Sequence, residues 1–134
     1  MSAGSKPTGQ VHPRSLALLE REGIAAEGLF SKSWDNLQAT PDIVITVCSN
    51  AAGETCPTYH SPALRAHWGV EDPAEATGTD EVINEAFTEA YRTLREGIET
   101  FLSLPLDDLR QNPSAFRTKL DYIGILKFKQ SQAK

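Results

Sequence analysis

The sequence holds two cysteines and one methionine, and it has no apolar run of the roughly 18 residues that a membrane-crossing helix requires. Two cysteines are too few for a disulfide-framed secreted scaffold. The first ten residues, Met1 to Gln10, lack the apolar centre of a secretory signal and read as a flexible loop. Basic charge is also short. Thirteen Lys and Arg are scattered among 18 Asp and Glu, for a net charge of −5. This argues against a nucleic-acid role, which needs a clustered basic surface. Lys127, Lys129 and Lys134 read as a solubilising tail. No membrane partner is expected, and the expected location is cytoplasmic. There a cysteine pair is kept reduced and serves as reactive or metal-binding thiols rather than as a constitutive disulfide.

What is present has the balance of one globular domain spanning residues 1–134, with 40% apolar and 23% charged side chains. Leu16, Leu18 and Leu19 lie among Arg14, Glu20, Arg21 and Glu22. With Pro13 suited to a first turn and Gly23 to a stop, they predict a short amphipathic helix. Ser31 to Asn36 reads as a loop or a single helical turn. Ile43-Val44-Ile45-Thr46-Val47 is a β-branched run without polar alternation. It predicts an interior strand of a parallel sheet, covered on both faces. Arg65 to Val70 is a second strand candidate, far enough along the chain for a parallel crossover.

Thr79 followed by Asp80 and Glu81 is a helix start. Ile83, Phe87, Ala90, Tyr91, Leu94, Ile98, Phe101 and Leu102 continue that helix at three- and four-residue spacing up to Leu104-Pro105. Beyond Asn112-Pro113, Phe116, Leu120, Ile123, Ile125, Leu126 and Phe128 predict a final helix, weakened at Gly124 by roughly 1 kcal/mol. Strands and helices in this order imply a three-layer α/β domain. Two strands are too few for its sheet, so a strand-helix-strand unit at the front is expected to be missing.

Both cysteines fall in one run, Cys48-Ser49-Asn50-Ala51-Ala52-Gly53-Glu54-Thr55-Cys56-Pro57, directly after the first strand. On spacing alone, Cys48 reads equally as a small buried hydrophobe closing a strand or as a redox thiol. The connection between the cysteines is rich in Ala, Gly, Ser and Asn. It meets the requirement of a disulfide for Cα atoms about 4.4 to 6.8 Å apart. Asp72-Pro73 by itself is a turn dipeptide. His12, His60 and His67 provide no C-x2-C or H-x3-H pair, so a zinc site with its roughly four ligands is rejected and no bound cofactor is expected.

Taken together, Cys48 to Pro57, His67-Trp68-Gly69 and Glu71-Asp72-Pro73 resemble the redox segment of thiol-dependent arsenate reductases built on the low-molecular-weight tyrosine phosphatase fold. Ser2-Ala3-Gly4-Ser5 resembles the segment that follows the second strand of those enzymes. The resemblance implies that Cys48 and Cys56 take over the oxidation produced when a nucleophilic cysteine attacks arsenate. It also implies that Asp72 is the general acid and that thioredoxin, or glutathione with glutaredoxin, donates electrons. Ser31 to Trp34 would border the pocket, although a surface loop with one docked aromatic fits that stretch equally well.

The family's nucleophile opens a C-x5-R loop whose N–H groups and arginine hold the oxyanion. Position six after Cys48 is Glu54, and after Cys56 it is Pro62, so neither cysteine opens such a loop. The chain is therefore expected to be an N-terminally truncated member, inactive on arsenate by itself. An unpaired apolar strand adds the expectation of a homo-oligomer or domain swap. A non-catalytic binding module that uses this edge, and a generic thiol oxidoreductase, are the alternatives.

Overall fold

The structure, a computed structural model, describes residues 2–4, 7–47 and 63–128. It is an α/β arrangement in which two short parallel strands, β1 (Ile43–Thr46) and β2 (Leu64–His67), meet four helices. These are α1 (Pro13–Arg21), α2 (Asp80–Leu102), α3 (Leu106–Leu109) and α4 (Pro113–Lys127). Single 3-10 turns stand at Trp34–Asn36 and Pro73–Glu75.

The helix ends follow the local chemistry. Pro13 opens α1 behind an extended His12, whose ring nitrogen accepts from the Arg14 amide. At the other end Ile24 N–H donates to Leu19 and Gly23 N–H to Glu20, with Gly23 at a φ of 74°. This double closure needs a left-handed residue after the cap. Thr79 caps α2 by accepting from Val82, and Asp80 and Glu81 occupy its electropositive first turn. Arg14 ties the two helices together by donating to Asp80 and Asn84, and the His12 ring lies 4.8 Å from Phe87.

The strands pair as Ile43 with Leu64, Val44 with Arg65, Ile45 with Ala66 and Thr46 with His67. Because side chains alternate between faces, Ile43, Ile45, Leu64 and Ala66 share one face. That face joins a core of Trp68, Leu109, Phe116, Leu120, Ile123 and Phe128, to which Phe101 and Leu104 add. The expectation of cover on both faces is thus met on this one. All four β1 residues are half-buried rather than fully buried, and among the described residues no strand other than β2 belongs to the sheet.

Two helical faces differ from their apolar patterns. On α2 the buried line runs through Phe87 and Gly97, while Ile98 and Leu102 are exposed. On α4 it runs through Phe116, Leu120 and Ile123, while Ile125 and Leu126 face out. Phe128 leaves α4 in an extended conformation and stacks on Trp68 with ring centroids 5.0 Å apart. A Cβ on Gly97 would stand 2.6 Å from Phe128 Cζ, so only glycine admits that ring.

Gly97→Ala should therefore destabilise the domain by about 1 kcal/mol. Overpacking a buried, stacked ring costs about 1–3 kcal/mol and helix propensity returns only about 1. Thermal denaturation is expected to show a midpoint a few degrees lower. A higher midpoint would mean that the ring is free to move.

The N-terminal segment is more ordered than its composition suggests. Gly4 forms a parallel bridge with Ser33: Gly4 N–H donates to Lys32 C=O, and Trp34 N–H donates to Gly4 C=O. Lys32 Nζ also reaches the Ser2 carbonyl, and Gly9 N–H donates to Ser31 Oγ. The flexible-loop reading of these ten residues is corrected at Ser2, Gly4 and Gly9. Two main-chain groups and two side chains of the Ser31–Trp34 stretch hold it, and none of these partners is visible as a composition signal.

Candidate functional site

The C-terminal ends of β1 and β2 lie side by side, and in open parallel sheets this is the edge where ligand-handling loops gather. The ladder continues past the strands, since Trp68 N–H donates to Thr46 C=O at 2.8 Å and Val70 N–H to Val47 C=O at 3.0 Å. Val47 is the residue before Cys48, and Val70 is two residues before Asp72. The segment that begins at Cys48 and the turn that carries Asp72 therefore start from neighbouring points on one sheet edge. Cys48 and Cys56 themselves lie outside the described residues, as does His60.

Asp72 is exposed and opens the Pro73–Glu75 turn, with one carboxylate oxygen accepting from Ala74 N–H at 2.9 Å. Cap and proton donor are compatible roles, because the carboxyl has a second oxygen free of that bond. Trp68 anchors the approach to this turn. Its indole is 2% exposed and donates to the Leu120 carbonyl at 3.1 Å, so the chain between β2 and Asp72 is fixed to α4.

Two contacts were beyond sequence reasoning. Thr46 Oγ1 lies 2.6 Å from His67 Nδ1, across the last rung of the strand pair. Register alone reveals that pairing, and register is not written in either strand by itself. The second is the Gly4–Ser33 bridge, which holds the N-terminal segment against the residues before the Trp34–Asn36 turn. Ser33 caps that turn by accepting from Asp35 N–H. Of the histidines, His12 serves as the α1 cap and His67 as the partner of Thr46. A polar depression lined by Asp107, Arg110 and Gln111 belongs to α3 and the connection after it, not to the strand ends.

The family model for low molecular weight phosphotyrosine protein phosphatase matches residues 1–114. The chain belongs to that family. Proteins named arsenate reductase within reach of it include one from Halalkalibacterium halodurans, 36% identical over 101 residues that make up 75% of this chain and 71% of the relative. Another, from Oceanobacillus iheyensis, is 37% identical over the same shares, and one from Bacillus licheniformis is 33% identical. The family expected from the Cys48 to Pro57 run is thereby borne out, and the α/β architecture with a small parallel sheet agrees with it.

Proposed function

We propose that the chain is an arsenate reductase subunit or segment that carries the redox thiols and the general acid of the reaction. Reducing arsenate to arsenite moves two electrons onto arsenic, converts two thiols into one disulfide and releases one oxygen as water. In this reading Cys48 and Cys56 end as the disulfide, and Asp72 supplies a proton to the departing oxygen. Thioredoxin, or glutathione with glutaredoxin, then reduces the pair by thiol exchange. Neither cysteine is followed by arginine at the sixth position, so the oxyanion-binding nucleophile is contributed by residues other than these 134.

The observation that carries the proposal is the junction at the sheet edge. Val47, which leads into Cys48, accepts the backbone hydrogen bond of Val70, which leads into Asp72. The arsenate reductase names of the relatives support the same substrate. The test measures arsenite formed by the chain together with a segment bearing a C-x5-R loop, with thioredoxin or glutathione and glutaredoxin as reductant. Arsenate-dependent turnover is expected with the segment and not without it. Thiol oxidation that proceeds equally without arsenate would replace this reading with that of a general thiol oxidoreductase.

Asp72→Asn isolates the proton. Asparagine caps a turn as well as aspartate, so the bond from Ala74 N–H survives. Loss of a general acid lowers turnover by about 10²- to 10⁴-fold. The expected result in the complemented assay is a kcat reduced on that scale with KM within a few-fold. Unchanged kcat would move the acid role to another residue.

A further inference from the structure

The last rung of the sheet has an unusual composition for a half-buried parallel pair. Thr46 and His67 are direct partners, both half-buried, on the face opposite Ile45 and Ala66. Strands favour β-branched residues, and valine would fill position 46 with the same shape as threonine. What threonine adds is a hydroxyl, and that hydroxyl lies 2.6 Å from His67 Nδ1, while the Ala66 carbonyl is farther off at 3.5 Å. A hydroxyl both donates and accepts, so it satisfies Nδ1 whether or not that nitrogen carries a proton. A half-buried polar ring without such a partner would cost free energy on folding.

We infer that Thr46 and His67 form a positioning clamp, which holds together the two strand ends from which the Cys48 segment and the Asp72 turn depart. Each strand is only four residues long, and short parallel pairs open first at their ends. Past the clamp, the main-chain bonds from Trp68 to Thr46 and from Val70 to Val47 continue the pairing among the described residues. Opening that junction would separate the starting points of the two segments. Small misplacements of this kind cost reaction rate without changing how substrate binds. The clamp's role in catalysis rests on the arsenate reductase reading, whereas its existence as a structural lock does not.

The experiment compares Thr46→Val, which removes the hydroxyl at constant shape, with Thr46→Ser, which keeps it. Amide hydrogen exchange is followed at Trp68 and Val70, with Leu120 in α4 as a marker of global opening. Losing a hydrogen bond of ordinary strength corresponds to a factor of about 5 to 10. Exchange at Trp68 and Val70 should quicken by that factor in Thr46→Val, stay within about twofold of wild type in Thr46→Ser, and remain unchanged at Leu120 in both.

In the complemented arsenate assay, kcat should fall by a similar factor in Thr46→Val with KM unchanged, and Thr46→Ser should restore it. Two results overturn the clamp, wild-type exchange in Thr46→Val or equal acceleration in both variants, and faster exchange with unaltered kcat overturns its positioning role in catalysis. If the wild-type chain shows no arsenate turnover with the supplied loop, the reductase reading fails. The exchange comparison then decides the clamp by itself.

Discussion

Trp68→Ala should remove about 3–5 kcal/mol of folding stability, the range for deleting a large buried aromatic. Folded domains have only about 5–15 kcal/mol in total, so this one change would take a large share. Three contributions converge on the residue. Its ring is 2% exposed and stacks on Phe128, which is itself 4% exposed. Its indole N–H satisfies the Leu120 carbonyl, and Leu120 is the most completely buried side chain in the core. It also follows β2 directly, so it connects the sheet to α4.

Trp68→Phe retains most of the apolar area and should lose only about 1–2 kcal/mol, chiefly from the missing donor. Urea denaturation monitored by circular dichroism separates these cases. A loss below about 1 kcal/mol in Trp68→Ala would mean that the α1–α2 contact, rather than the sheet and α4, holds the domain together.

The second large effect is chemical. Cys48→Ser and Cys56→Ser should each abolish multiple turnover of arsenate in the complemented assay, because a hydroxyl neither attacks a disulfide nor forms one. The two electrons given up to arsenic could then not be replaced, because no Cys48–Cys56 disulfide forms for the electron donor to reduce. At most one equivalent of arsenite per chain is expected from either variant. Sustained turnover with either serine present would remove that cysteine from the reaction. The fold should tolerate both changes, so circular dichroism of the variants is expected to match wild type.

How much of this was readable in advance differs by element. The start of α2 was legible because Thr79, Asp80 and Glu81 carry capping and charge signals within a few residues. Its buried face was read through Ile98 because apolar spacing assigns no role to Gly97. The reason for that glycine is Phe128, 31 positions later in the sequence. β1 announced itself through its β-branched run. β2, with the sequence Leu-Arg-Ala-His, was shifted by one residue at its start and closed at His67 rather than Val70. The remaining expected residues run on as main-chain bonds from Trp68 and Val70 without counting as strand.

The chemistry shows the same division. Cys48 to Pro57 and Asp72-Pro73 are local motifs, so resemblance located them together with their family. The Thr46–His67 contact and the bridge from Gly4 to Ser33 are products of register and long-range pairing, which no local pattern encodes. The acid reading of Asp72 rests on resemblance, whereas its place as the cap of the Pro73–Glu75 turn follows from Ala74 N–H lacking a helical partner there.

The most direct test of the account is peptide mass spectrometry after arsenate is added to the chain with its complementing C-x5-R segment and no external reductant. The account predicts a Cys48–Cys56 disulfide that appears only with arsenate and in step with the arsenite released. Arsenite accumulating while both thiols stay free, or a disulfide that forms at the same rate without arsenate, would contradict it.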